Sequence, residues 1–195
     1  MTAYQEVHLA EGARAEDHKP ATILLHKPAG DRLASDAGAL QLEQLIVDAH
    51  RAAEDRSGRR FVKRDLKGLQ LLTPLDAEAS GLVVLSQHPG IARKLTEDYF
   101  KLEQEYVVEV SGDIAADGLE RLNAGADASI PTKVSWQNET HLRFALKKAS
   151  ASHIADMCQQ VGLTVTGIKR IRIGRRPLAG LQPGQWRYLL DYERF

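Results

Sequence analysis

No apolar run in this chain is longer than five residues, and this limits the fold that the chain can adopt. A helix that spans a bilayer needs about 20 consecutive apolar residues, so no membrane span is expected. The runs are rich in Leu, Val and Ile and lie between turns that contain Pro or Gly. Runs typical of strands outnumber segments with helical spacing, which predicts an α+β domain whose strands are mostly antiparallel.

The pattern also predicts where the elements lie. Strands are predicted at residues 22–25, 69–73, 82–86, 105–110, 133–136, 141–146 and 163–173, with a last strand after Pro183-Gly184. Helices are predicted at residues 39–53, at 89–100 and from Ser150 or Ser152 to Gly162, with one or two helical turns in 116–123. Residues 1–20 are polar and aperiodic, so they are expected to form a loose N-terminal segment ahead of a folded domain at 21–195.

Charge and cysteine content exclude several classes of protein. The 26 basic and 26 acidic residues balance, which excludes a uniformly basic coat protein for nucleic acid but allows local basic faces. Two such clusters occur, at residues 51–67 and at 169–176. Cys158 is the only cysteine, so no disulfide and no thiolate zinc site is expected. The histidines are scattered, and no metal is predicted.

The strongest local signal is Asp76, in the segment 74–81 between two apolar runs. A carboxylate at such a place either caps a turn or is held for chemistry. Spacing alone favours the turn, because most Asp residues in turns bond their own backbone. The chemical interpretation gains support from two later segments of the chain, a strand with Tyr106 and the basic strand that begins near Lys169.

Five segments together resemble the RsuA/RluF-type pseudouridine synthases of ribosomal RNA. The segment 75–86, LDAEASGLVVLS, resembles the family's Gly-Arg-Leu-Asp-x-x-(Thr/Ser)-x-Gly-Leu block. The others occur in the family's order: HKPAG at 26–30, EYVVEV at 105–110, a late helix and strand at 154–165, and a C-terminal signature that runs from Lys169 to Arg187. The resemblance extends from about Ile23 to Leu190.

The resemblance implies a catalytic domain at 21–195 with a mixed, mainly antiparallel sheet and a central active-site cleft. It implies an isomerase that converts uridine to pseudouridine without cofactor or metal, with Asp76 as the group that attacks the nucleoside. Tyr106 would pack on the displaced base. The target must leave its stack, which favours a loop or bulge in structured RNA. The expected partner is ribosomal RNA, and the expected protein is a cytoplasmic monomer.

Three departures from the family pattern bear on the chemistry. Pro74 and Ala155 stand where the family has Arg, and Gln104 stands where it has Lys. The Arg at position 155 would pair with the catalytic carboxylate, so Asp76 is expected in an apolar cleft with less opposing charge. The cations that could replace it are Lys169, Arg170 and Arg172, which with Leu178 are the predicted substrate-binding residues.

The resemblance also implies where RNA is bound. The family often begins with a small basic RNA-binding module, which residues 1–20 are too few to form, so RNA contact is expected from local basic faces. The resemblance favours the cluster at 169–176, whereas RNA contact and a merely solvated face both stay open for 51–67. Two functions are predicted: an active synthase, or a synthase fold that has lost turnover and acts in RNA binding or ribosome assembly.

Overall fold

The computed structural model describes residues 18–31, 33, 43–125, 131–148 and 150–195, and nine strands within these residues form one sheet. The strands are β1 (Thr22–Lys27), β2 (Gln70–Leu71), β3 (Ser80–Ser86), β4 (Glu103–Ser111), β5 (Thr132–Asn138), β6 (His141–Lys147), β7 (Thr164–Ile173), β8 (Arg176–Pro177) and β9 (Trp186–Tyr188). Three α-helices lie entirely within the described residues: α1 (Pro89–Thr96), α2 (Gly118–Ala124) and α3 (Ala151–Gln160). Short 3-10 turns occur at Asp48–His50, Lys63–Asp65 and Tyr99–Lys101.

The strand order is β5-β6-β4-β7-β3-β1-β9, with β2 beside β3 and β8 beside β7. Every pairing is antiparallel except that of β3 with β7, which is parallel. The prediction of an α+β fold with a mixed, mainly antiparallel sheet is confirmed. The single parallel pair lies at the centre of the sheet, where β3 begins.

Successive residues of a strand point to opposite faces of the sheet, and apolar side chains cover both faces here. On one face, which we call the front, Tyr106 packs with Ile154 and Met157 of α3. Leu25 and Val83 lie on the same face in a second cluster, and Leu75 contacts both clusters. The back face carries a third cluster, in which Leu24 and Val84 pack with Leu95 of α1. The front is therefore covered by two apolar clusters that meet at Leu75.

Most of the predicted elements are confirmed, including helix α3, whose N-cap Ser150 accepts a hydrogen bond from His153 N at 3.2 Å. The predicted helix at 39–53 is wrong over its second half; residues 39–42 lie outside the described residues. Residues 43–45 are helical, but a 3-10 turn comes next and Arg51 forms a β-bridge with Trp186. Ala52 N donates to Trp186 O at 2.8 Å, so pairing with the edge strand β9 replaces the helical hydrogen bonds.

The expected loose segment at 1–20 lies outside the described residues except for 18–20, which are attached to the domain. Arg59 donates to the carbonyl oxygen of Lys19 at 2.6 Å, and His18 Nε2 lies 3.3 Å from Gln87 Oε1. Of the helices in the described part of the chain, none has the length and apolarity needed to cross a membrane.

Candidate active site

Four residues form one row across the centre of the sheet, beneath the loop that carries Asp76. Lys27 is paired with Gly81, Gly81 with Arg170, and Arg170 with Tyr106, on strands β1, β3, β7 and β4. Paired residues of neighbouring strands point to the same face, so this row lies on the front. It crosses the sheet where the two front clusters meet.

Gly81 allows this row to close. Its φ is +114°, and a Cβ built on it would lie 2.2 Å from the carbonyl oxygen of Arg170. No other residue type can adopt that backbone angle next to so close a neighbour without strain. The glycine therefore lets β3 and β7 approach closely, and the side chain of Arg170 passes beneath the start of β3.

Asp76 lies in the loop at 72–79, which we call the Asp76 loop. Its backbone carbonyl closes a turn by accepting from Ala79 N at 3.2 Å, and its side chain is exposed. The expectation that this acid is buried in an apolar cleft is wrong, because only the neighbouring Leu75 turns inward to the clusters of the front face. No described cation lies within 4.0 Å of the carboxylate.

Arg170 is almost fully buried, and it ties the two ends of the Asp76 loop together. Its Nη2 donates to Thr73 O at 2.5 Å and its Nη1 to Pro74 O at 3.4 Å, before the loop's acid. Its Nε donates to Leu82 O at 2.8 Å, after the loop. The guanidinium thus holds the backbone of the loop rather than the carboxylate of Asp76. Arg170, one of the three cations expected to replace the family's arginine, therefore contacts the main chain next to Asp76 and not its carboxylate.

Lys27 is a second buried cation under the same loop. Its Nζ donates to the carbonyl oxygens of Ala79 at 2.7 Å, Pro28 at 2.9 Å and Ala77 at 3.0 Å. Burial lowers the pKa of Lys27, and the negative charges of Asp31, Glu78 and Asp76 oppose that shift. Sequence reasoning missed this residue, although its position just before the Pro28–Gly30 turn was the available signal.

Tyr106 and Gln104 complete the site. Gln104 Oε1 accepts hydrogen bonds from Tyr106 at 3.0 Å, Tyr99 at 3.1 Å and Arg170 at 3.2 Å. Because Arg170 can only donate, the amide oxygen of Gln104 must face it. Gln104 Nε2 is buried without a partner among the described residues. Gln104 therefore fixes two tyrosines and the guanidinium at one point.

The position of Tyr106 limits what its side chain can do. The residue is fully buried, and burial raises the pKa of its hydroxyl while the charge of Arg170 opposes that rise. The phenol therefore stays neutral at physiological pH, with its proton donated to Gln104. A base could stack on the ring only after the residues that cover it move aside.

The other predicted substrate-binding residues lie on the back face. Lys169 alternates with Arg170 and is exposed, and Leu178 is buried against the back cluster. Arg172 would share a face with Arg170, but a β-bulge at position 171 turns it to the other side. There it is paired with Glu103 and Glu105 at 2.5 and 2.6 Å. Of the four, the structure brings only Arg170 to the Asp76 loop.

In the part of the chain that the structure describes, no group of three or more His, Cys, Asp or Glu side chains is arranged to bind a metal ion. The groups at hand are the exposed carboxylate of Asp76, with the exposed Glu78 in the same loop, two buried cations and a neutral phenol. Such a set suits nucleophilic attack by the carboxylate.

The chain is similar to known proteins over most of its length. The sequence model of the RNA pseudouridylate synthase family matches residues 21–169. The ribosomal small subunit pseudouridine synthase A of Vibrio cholerae is 24% identical over 190 residues, which cover 94% of this chain and 76% of that protein. The dual-specificity RNA pseudouridine synthase RluF of Salmonella typhi is 29% identical over 123 residues, 61% of this chain and 43% of that protein.

The fold has a counterpart among solved structures. A crystal structure of a pseudouridylate synthase superposes with a TM-score of 0.68 at 18% identity, over 89% of this chain and 71% of that one. At this identity the match speaks for the fold alone. The chain thus spans about three quarters of the Vibrio cholerae relative but less than half of the Salmonella typhi one.

Proposed function

The chain belongs to the RNA pseudouridylate synthase family, and we propose that it isomerises a uridine of ribosomal RNA with Asp76 as the nucleophile. The reaction breaks the bond between the ribose and the first nitrogen of uracil and joins the ribose to the fifth carbon of the base. One proton leaves that carbon and one is gained at the freed nitrogen, so no cofactor is consumed.

The observation that carries this proposal is the support of the Asp76 loop by Lys27 and Arg170. Lys27 and Arg170 together donate seven hydrogen bonds, and backbone carbonyl oxygens accept six of these. An anchored loop presents its nucleophile with little freedom left to lose, which is a main source of rate enhancement. The exposed carboxylate can be reached by a nucleotide that has left its stack.

The two buried cations also supply electrostatic support. They lie beneath the loop, and in a poorly polarisable interior their charge reaches farther than in water. The coulombic interaction of Asp76 with Lys27 has the sign that stabilises both charges. Positive charge below the loop also attracts the negative charge that an RNA substrate brings. Lys27 and Arg170 thus place positive charge beneath the loop in a chain that has Pro74 and Ala155 where the family pattern has arginines.

The choice of ribosomal RNA comes from the relatives. The Vibrio cholerae protein is named for the small ribosomal subunit, and one from Bacillus subtilis, 24% identical over 196 residues, for the large subunit. We extend this substrate class to the present chain.

The test is pseudouridine formation on ribosomal RNA from cells that lack the protein, mapped chemically. Asp76→Asn should lower the rate at least about a thousandfold, because the nucleophile is lost. Glu78→Gln is the matched control: it removes the same charge from an exposed acid two residues farther along the same loop, and it should stay within about twofold of wild type. Turnover by Asp76→Asn at the wild-type rate, or none by wild type, overturns the proposal.

A second candidate is RNA binding without turnover. It is favoured by the lack of a described cation within 4.0 Å of the Asp76 carboxylate and by the complete burial of Tyr106. It predicts RNA affinity that Asp76→Ala leaves unchanged, in a wild-type protein that forms no pseudouridine. Turnover that depends on Asp76 excludes it.

A further inference from the structure

The basic segment 51–67 is divided by the fold into an inner and an outer part. Arg51 is paired with Asp55 at 2.9 Å and Arg59 with Asp65 at 2.5 Å. Both guanidinium groups also lie over the ring of Tyr188, at 5.2 and 5.0 Å from its centroid. Two of the basic residues and two of the acids are thus used inside the protein to attach this segment to β9.

In the outer part, residues 60–67, all exposed charged side chains are positive. Arg60, Lys63, Arg64 and Lys67 are exposed, and none has an acidic partner within 4.0 Å among the described residues. The only acid between positions 59 and 70 is Asp65, which is fully buried. Arg59 ties the backbone of the exposed Lys19 to the same region. We call these five cations, Lys19, Arg60, Lys63, Arg64 and Lys67, the basic surface.

The backbone beneath the basic surface is held in place. Gln87 Nε2 donates to the carbonyl oxygens of Arg64 and Lys67, both at 2.8 Å, and Gln87 Oε1 accepts from Ala21 N at 2.8 Å. Asp65 Oδ2 accepts from Val62 N at 3.1 Å and closes the turn. The cations therefore project from an ordered turn rather than from a free tail.

The basic surface lies well away from Asp76. Gln87 directly follows the end of β3, whereas Asp76 precedes its start. A strand of this length, at about 3.3 Å per residue, separates the two by roughly 20 Å. Nucleotides bound at the basic surface would not be the one that reaches Asp76.

We propose that the basic surface binds the phosphate backbone of RNA that flanks the target nucleotide. This inference rests on RNA as the proposed substrate and adds a second contact that fixes the RNA's position. Cations without internal partners are free to neutralise RNA phosphates and so release the counterions condensed on the RNA. The other basic cluster, 169–176, is less suited, because Arg170, Arg172 and Arg176 are bound to internal acceptors. A lipid surface is disfavoured, since Val62, 41% exposed, is the one large apolar side chain exposed in the described turn.

The test measures binding directly, so that it stands apart from turnover. A labelled RNA stem-loop and total ribosomal RNA are titrated against wild type, Lys63→Gln/Arg64→Gln and Arg60→Gln/Lys67→Gln. Each double variant should weaken binding roughly tenfold or more near 0.1 M salt and lower the salt slope of the affinity by about one to two. Arg93→Gln/Lys133→Gln removes the same charge from exposed residues of α1 and β5 and should change the affinity less than about threefold.

Several results overturn the inference. One is an equal loss of affinity in the control and in the basic-surface variants, which would reveal a general charge effect. Another is unchanged RNA binding in both basic-surface variants, whose folding is checked by thermal unfolding. A third is binding to phosphatidylglycerol vesicles that depends on these residues while RNA binding does not. If wild type binds RNA through the basic surface but forms no pseudouridine, this inference survives and the proposed function fails.

Discussion

Lys27 and Arg170 lie in the same row of the sheet with only Gly81 between them, and both donate to the backbone of the Asp76 loop. Two buried cations this close would repel each other if they were not solvated. Here six carbonyl dipoles provide that solvation, and the exposed acids Asp31, Glu78 and Asp76 provide opposing charge for Lys27. The loop and the cations therefore stabilise each other.

Replacement of Arg170 should unfold the site. Arg170→Leu removes the side-chain donor to the carbonyl oxygens of Thr73 and Leu82 and one of the three donors to Gln104, at a cost of about 3 kcal/mol or more in the free energy of unfolding. Arg172→Leu is the control, because its ion pairs lie at the partly exposed back face and are worth about 1 kcal/mol or less. Urea unfolding of both variants checks this; equal losses would show that Arg170 does not hold the loop carbonyls.

Gly81→Ala should be among the most damaging small substitutions. The new Cβ would lie 2.2 Å from Arg170 O at a backbone φ of +114°, so β3 and β7 must separate. We expect a loss of about 4 kcal/mol or more. Gly58→Ala shares a positive φ, +64°, but has open space around it, and it should cost only about 1 kcal/mol. Thermal and urea unfolding separate the two, and similar values would contradict the close approach.

Lys27 should give the protein a distinct alkaline pH dependence. Burial lowers the pKa of Lys27 from its usual 10.5, so between the two values the unfolded chain holds more protons than the native one. Stability from this group therefore rises with pH within that window. Wild type should gain stability relative to Lys27→Met as the pH is raised from neutral toward 10. A difference that stays constant across urea titrations at several pH values would refute a lowered pKa.

Glu193 should make the free energy of unfolding depend on pH in the acidic range. Here hydrogen bonds, and not burial, cause the shift in pKa. Burial alone would raise its pKa, but hydrogen bonds from Arg187, Leu190 N and Arg176 lower it from 4.5 to about 2. The native state then binds fewer protons than the unfolded one in this range, so the contribution is complete above pH 4.5 and is lost as the pH falls through 2.

The expected size of the Glu193 effect is about 3 kcal/mol, from 1.4 kcal/mol for each pKa unit. Wild type and Glu193→Gln should differ by this amount at pH 6 and converge near pH 2, as measured by urea unfolding. Asp191→Asn, an exposed acid in the same C-terminal segment, is the control and should show no such convergence. A Glu193→Gln difference that is independent of pH would exclude the Arg187 and Arg176 contacts.

Local sequence patterns were sufficient for α3 and for every strand except the two-residue β8, because these elements bury regularly spaced apolar residues. The segment 39–53 has helical spacing too, yet beyond residue 45 the edge of β9 offers Arg51 and Ala52 backbone partners that a helix would otherwise provide. No local pattern reveals such a partner, since Trp186 lies far along the chain.

The sequence indicated candidate site residues but not the contacts that they make. The resemblance pointed to Asp76 and Tyr106; the structure places Tyr106 in the row of the sheet and Asp76 in the loop above that row. It could not separate Arg170 from Arg172, because the bulge at position 171 depends on how β7 is paired with β4. The role of Lys27 was hidden since its acceptors are main-chain carbonyls, which every residue type carries.

The hydrogen bonds to main-chain carbonyls have a consequence for protein engineering. Lys27 and Arg170 donate to carbonyl oxygens, which all amino acids have. The backbone conformation of the Asp76 loop therefore depends mainly on two residues that lie outside the loop. Side chains at positions 74, 77 and 78 can then be diversified in a library while the scaffold keeps its geometry. Loops of other sequence can therefore be grafted between β2 and β3, above the side chains of Lys27 and Arg170.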